Sequence, residues 1–212
     1  MPHRFAQLAF TPAVAEAQTR YGSREANSRY ERFGGPNDAL TPDEEEFIAA
    51  RDSFYLASIS ETGWPYIQHR GGPKGFLKAM DEKTLAFADF RGNKQLITTG
   101  NLSGDDRVAL FLMDYPRQTR LKILGHARVI DAAVDPELSA RLALPDYKAR
   151  IERLFVIHVE AFDWNCKQHI TPRYTREELR EAIAPTLARI EQLERENADL
   201  KTRLGIENAD GN

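Results

Sequence analysis

The chain has 212 residues, 42% hydrophobic and 29% charged, the proportions of a soluble globular protein long enough to bury a substantial core. Its 29 basic and 32 acidic side chains leave a net charge of −3, which argues against wholesale coating of nucleic acid or of an anionic membrane, since both demand a basic excess. A single cysteine, Cys166, excludes an internal disulfide, no apolar run approaches the ~20 residues of a membrane span, and the N-terminus lacks the apolar stretch of a secretory signal, so a cytoplasmic protein is expected.

Residues 1–50 read as a peripheral helical segment. Thr11-Pro12 and Thr41-Pro42 each place a capping hydroxyl before a proline at the first helical position, and Thr41 with Glu44 fits a capping box. Between them the charged stretch from Ser23 to Asp38 ends in the loop Gly34-Gly35-Pro36.

Residues 51–174 change character. Phe54–Ser60 and Pro65–Arg70 are strand formers around the turn Glu61-Thr62-Gly63-Trp64, and Phe76–Met80 and Thr84–Phe90 form a second pair around Asp81-Glu82-Lys83. Leu85 and Phe87 share one face at period two. Asn93–Leu102 reads as a short helix. Arg107–Met113 is a nearly continuous apolar run, as a strand buried on both faces would be. Thr119–Ile130 alternates, with Leu121, Ile123, Ala127 and Val129 on one face and Lys122, His126 and Arg128 on the other. Asp135–Arg153 reads as helical with a break at Pro145, and Leu154–Phe162 as a last long strand. Six or seven strands joined mostly by tight turns predict a mainly β, antiparallel sheet. Closure into a barrel, with flanking helices, would remove its edges.

Residues 175–212 open with a long helix, capped by Thr175 and Glu178. Leu179, Ile183, Thr186, Ile190, Leu193, Asn197, Leu200 and Leu204 follow a 4-3 spacing. That is a heptad with Ile183, Ile190, Asn197 and Leu204 at a and the others at d. Arg189 and Glu196 at g would face Glu194 and Lys201 at e in a parallel dimer. The alternative is an amphipathic helix packed on its own barrel. Pro185 interrupts the pattern at a cost of about 3 kcal/mol in helix stability, so the seam would start after it.

Positive charge is concentrated although the chain is acidic. Thr62–Met80 carries Arg70, Lys74 and Lys78, Phe90–Gly104 carries Arg91 and Lys94, and Tyr115–Ile130 carries Arg117, Arg120, Lys122 and Arg128, all without an acid. Either these collect into a pocket suited to a small phosphorylated ligand, or they pair with acids of the terminal helices. Gln68-His69-Arg70 runs into Gly71-Gly72-Pro73-Lys74-Gly75, whose glycines would allow close approach to the backbone. Phe90-Arg91-Gly92-Asn93-Lys94 lies where a strand gives way to a helix, with Asn93 a candidate N-cap and an anion site beside it. His69, His126, His158 and His169 match no zinc spacing, and Cys166 is expected to be buried and inert.

The order of these motifs resembles the pyridoxamine 5′-phosphate oxidase-like flavoproteins. It is carried by PYIQHRGGPKGFLK, FADFRGNKQLITTGNL, RVALFLMDY, RLKILGHARVID and AFDWNCKQHITPRYT, over about residues 40–175. The resemblance implies an FMN-binding split barrel, dimeric, with FMN in clefts between two protomers. It places Gln68, His69, Arg70 and Gly71 along the flavin, with Arg70 on the phosphate and Lys78 or Lys74 as a second cation. Phe87, Asp89 and Phe90 would edge the site, and Arg91, Asn93 and Lys94 would form the phosphate turn. Trp164, Gln168 and His169 would reach in from the partner subunit. The Arg-x-His substrate motif of the true oxidases is missing, which argues against vitamin B6 oxidation.

Two classes of function follow: an FMN-dependent oxidoreductase acting on a small organic substrate, with no catalytic side chain assigned, or a protein that binds or senses FMN, haem or a deazaflavin without turnover. No metal, nucleic acid or membrane partner is expected.

Overall fold

The computed structural model describes residues 1–164 and 167–205. It divides into two compact units, Met1–Ile170 and Thr171–Asn212. The first unit contains seven strands: β1 (Ser53–Ile59), β2 (Pro65–Gly71), β3 (Leu77–Asp81), β4 (Thr84–Phe90), β5 (Arg107–Asp114), β6 (Thr119–Asp131) and β7 (Ile151–Trp164). It also contains the helices α1 (Arg4–Ala9), α2 (Pro12–Arg20), α3 (Arg24–Phe33), α4 (Pro42–Ala49), α5 (Ile97–Gly104) and α6 (Pro136–Leu142). The second unit contains α7 (Arg176–Leu204).

The strands run in the order β2-β1-β5-β6-β7-β4-β3, every neighbouring pair antiparallel. In that order β1 and β4 stand four places apart, about 19 Å in a flat sheet. Yet Phe54 on β1 meets Phe87 on β4 edge to face with ring centroids 5.4 Å apart. The sheet is therefore rolled around one core, to which β1, β3, β4, β5, β6 and β7 all contribute, including Leu56, Leu77, Leu110, Ile123 and Phe155. It is left open between β2 and β3, the two ends of the strand order: a split barrel.

Burial alternates along β6 as expected, with Leu121, Ile123 and Ala127 inside. At Gly125 the ladder with β7 shifts register, and a Cβ there would stand 2.4 Å from the His158 carbonyl oxygen, so only glycine lets the two backbones come this close. The apolar run of β5 is not buried on both faces. Val108, Leu110 and Leu112 are buried, whereas Ala109, Phe111 and Met113 are half-buried on the outer face. The doubly buried strand is β4, because Ala86 and Ala88 are small enough for Leu142 of α6 to close over them.

Two helical expectations are corrected. The helix after β4 begins at Ile97 rather than Asn93. The stretch 135–153 is helical only from Pro136 to Leu142, and Ile151–Arg153 already belongs to β7. The Thr41–Glu44 and Thr175–Glu178 capping boxes both form.

The N-terminal helices belong to the barrel unit. Arg4 donates from Nε to Glu160 at 3.0 Å. His3 caps α1, its Nδ1 accepting from the Ala6 amide at 3.2 Å, and its Nε2 lies 2.6 Å from the Tyr30 hydroxyl, which donates to Asp163 at 2.7 Å. With Nδ1 accepting, the ring is neutral and Nε2 carries the proton. Burial holds the His3 pKa below 6.5, outweighing the pull of Asp163. The folded chain thus takes up this proton less readily than the unfolded one, so the His3 contribution is complete above about pH 6.5 and is lost progressively below it. The urea midpoint is expected to fall from about pH 7.5 to about pH 5.5, and by less in His3→Gln. Equal pH slopes in the two proteins would contradict this.

Candidate functional site

Alternation along β2 turns Gln68 and Arg70 to the inner side and Ile67 and His69 to the outer side. Arg70 comes to lie across the barrel opening, its guanidinium 4.9 Å from the Phe155 ring and 5.7 Å from that of Phe87. Its Nη1 donates to Asp89 Oδ1 at 2.6 Å. Arg153, directly opposite Asp89 in the β4–β7 ladder, donates to Oδ2 from Nε at 2.8 Å, with Nη2 at 2.7 Å. One buried carboxylate is thus shared by two guanidinium groups.

Burial lowers the pKa of Arg70 from 12.5 against the opposing pull of Asp89, and the group remains a cation at neutral pH. Its Nε is buried and has no hydrogen-bond partner among the described residues. Such a donor costs about 1–3 kcal/mol unless something accepts from it.

The surrounding charge is positive. Glu152 stands 3.4 Å from Arg153 and 3.8 Å from both Arg91 and Lys94. Four cations (Arg70, Arg91, Lys94, Arg153) against two carboxylates (Asp89, Glu152) give the cluster a net charge of +2. Helix α5 adds the amides of its first turn, which have no acceptor within the helix. It is pinned by Thr98 Oγ1, 3.0 Å from Gln68 Oε1, and by Asn101 Nδ2, 2.9 Å from Ser58 Oγ. Gln68, Arg70, Asp89, Lys94 and Arg153, with the start of α5, line a polar hollow of about 230 Å³, bordered also by Asn93, Thr98 and Thr99. It can bind and orient an anion, and none of its lining side chains is a thiol, imidazole or tyrosine that could serve as a nucleophile or base near neutral pH. Among the described residues no cluster suited to a metal ion occurs.

Residues 40–167, more than half of the chain, match the sequence model of the family described as pyridoxamine 5′-phosphate oxidase. The chain belongs to the pyridoxamine 5′-phosphate oxidase family. Solved structures similar to this family member include HupZ of Group A Streptococcus (16% identity, 64% of this chain and 99% of that one, TM-score 0.45). An FAD-binding protein from Mesorhizobium loti is similar at 14% identity, over 59% of this chain and 94% of that one, with a TM-score of 0.43. A protein from Clostridium acetobutylicum related to general stress protein 26 shares 12% identity over 64% of this chain and 94% of its own, TM-score 0.43. No curated protein matches.

Of the residues singled out in the sequence of this family member, Gln68, Arg70, Asp89, Phe90, Asn93 and Lys94 meet in the polar hollow. His69, Gly71 and Phe87 border a smaller adjoining one of about 130 Å³, which shares Arg70, Asp89 and Phe90. Arg91 is exposed but reaches Glu152. The others lie apart. Lys78 pairs with Ala86, on the face of β4 turned towards α6, and donates to the Arg141 carbonyl at 2.6 Å. Lys74 is exposed on the loop after β2, and Gln168 and His169 are exposed in a turn after β7. Trp164 packs edge to face on Phe47 and donates its indole N–H to Glu44 at 2.7 Å, so its polar group is engaged within its own protomer. Cys166 lies outside the described residues.

Asn93 does not cap α5. Leu96 holds that position, and Asn93 Oδ1 accepts from the Gln95 amide at 3.2 Å in a turn where Lys94 and Leu96 are left-handed (φ 59° and 56°). The third basic stretch stays away from the hollow. Arg117 pairs with Asp114 and Lys122 with Asp163. The acids that answer Arg70, Arg91, Lys94, Arg117 and Lys122 are therefore on strands β4, β5 and β7. Thr98 and Thr99 lie within the stretch FADFRGNKQLITTGNL but are not singled out in the sequence, whereas Arg153 lies in none of the family-like motifs and is signalled only by its cross-strand place opposite Asp89.

Proposed function

We propose that this chain is an FMN-binding flavoprotein, working as a homodimer with the flavin between subunits, and an oxidoreductase acting on a small organic substrate. The observation that carries the reading is Arg70: a mostly buried cation whose Nε has no partner among the described residues, beside the first-turn amides of α5, in a hollow of net positive charge. A phosphate monoester supplies the acceptor oxygens and the negative charge this arrangement lacks. Arg70, Lys94 and the first turn of α5 would hold it, with Arg153 and Asp89 fixing the Arg70 guanidinium. When bound, FMN supplies hydride chemistry, and the chain has only to orient the cofactor and tune it.

The dimer is supported by the outer side of the same strand. His69 meets Tyr55 edge to face at 5.6 Å, and Tyr55, Ile67, Phe111, Met113 and Leu124 line an outward apolar groove of about 570 Å³. Strand β2 thus joins the polar hollow to an apolar surface fit for burial against another subunit.

Arg70→Ala is expected to weaken FMN binding about tenfold to a hundredfold, the worth of one charge-assisted hydrogen bond. Arg24→Ala, whose side chain is paired with Glu31 in the N-terminal helices, should leave affinity unchanged. Equal affinities in a fluorescence titration would remove Arg70 from the phosphate site. Turnover is tested separately, by rapid reoxidation of the reduced holoprotein against a panel of small acceptors.

A further inference from the structure

We infer that α7 is an interaction surface for a second copy of this chain, which it meets as a parallel two-stranded coiled coil. The inference is independent of what the barrel binds. Helix α7 runs without interruption through 29 residues, Pro185 included, and ends at Gly205 in a left-handed cap. At 1.5 Å per residue it is about 43 Å long. None of its residues is buried. Ile183, Ile190, Leu193 and Leu200 are each about half exposed (46–52%), and Leu204 more so. These residues form one stripe along the heptad seam, and a stripe of this length is unfavourable in water until something covers it.

The flanks of the stripe say what covers it. In a parallel pair each g residue faces the e residue five places further along in the partner. Arg189 then meets the partner's Glu194, and Glu196 meets the partner's Lys201, so the surface is complementary to itself. Within one helix Arg189 lies 4.0 Å from Glu196, at the limit of an ion pair, and Gln192 donates to Glu196 at 2.7 Å. Asn197, at a, decides the direction. In the parallel register it lies against the partner's Asn197, where two amides satisfy each other. A fully overlapped antiparallel pair would set it against the partner's Thr186 and bring Lys201 against the partner's Arg180, two like charges. Pro185 falls at c, on the outer side, so the proline that weakens the helix does not interrupt the seam.

The test uses the full chain in a Cys166→Ser background. Leu200→Cys puts a thiol at d, where parallel copies face each other across the seam, and Asp199→Cys puts one at c on the outer side. Under mild oxidation with oxidised glutathione, Leu200→Cys is expected to form a covalent dimer of twice 24.1 kDa. It should do so roughly tenfold faster than Asp199→Cys, because only the d thiols lie within disulfide reach. Adding Arg189→Glu sets like charges against each other at both symmetric contacts and should slow cross-linking roughly three- to tenfold, and adding Glu194→Arg as well should restore it. Equal rates for the two cysteines, or no covalent dimer from Leu200→Cys, overturns the inference. A rate indifferent to both charge changes overturns it too, since the copies would then not be in this register.

Discussion

Replacing Asp89 with alanine is expected to destabilise the fold by about 3–5 kcal/mol, the cost of breaking a buried ion pair by removing one partner. Asp89 is 7% exposed and accepts from Arg70 and Arg153, whose side chains are themselves mostly buried (13% and 16% exposed). Without it two guanidinium groups share a barrel opening, and of the cluster's carboxylates only Glu152, 3.4 Å from Arg153, remains. Arg70 cannot turn to water without abandoning the rings of Phe87 and Phe155 beneath it. Asp38→Ala is the comparison. Its ion pair with Lys83, 3.3 Å long and with both side chains about two-fifths exposed, should cost no more than about 1 kcal/mol. Urea unfolding of the two variants should separate them clearly, and similar midpoints would mean that Asp89 is not the anchor of the cluster.

FMN is expected to bind about a hundredfold or more tightly than riboflavin. The two ligands differ only in the phosphate, which the polar hollow meets with Arg70 and the amides of α5. Two charge-assisted hydrogen bonds at about 1.5–3 kcal/mol each exceed a factor of one hundred in affinity. Screening lowers the exposed contributions of Arg91 and Lys94 at high salt but spares Arg70, so the preference for FMN should survive about 0.5 M salt in reduced form. Equal affinities for the two flavins in a competition titration would detach the phosphate from this hollow.

The fold was legible wherever one side of an element faces the core. The alternation in β6, the hairpin that pairs β3 with β4, and both capping boxes follow from local chemistry. The run in β5 misleads because Phe111 and Met113 are apolar for another reason: they line the outer groove. The start of β7 misleads because Lys148–Arg153 has the composition of a helix, and only pairing with Asp89 and its neighbours makes Ile151–Arg153 a strand. This hides Arg153, so half of the clamp on Asp89 could not be found. The turn 91–96 is hidden differently. Local rules favour a capping Asn93, whereas the chain spends left-handed conformations at Lys94 and Leu96 to bring α5 over Gln68. Lys78 shows the value of parity. It carries the expected charge, but it is adjacent to Leu77, which faces the core, and so points to the other side of the sheet.

The absorption spectrum of the purified full chain, followed by the mass of the chromophore released on denaturation, tests the central claim most directly. A yellow protein that releases FMN, one molecule per chain, is the expected result, and added FMN should fill any empty fraction. Colourless protein that takes up no added FMN, or a released chromophore that carries no phosphate, would contradict the assignment of the Arg70–Asp89–Arg153 cluster as a flavin phosphate site.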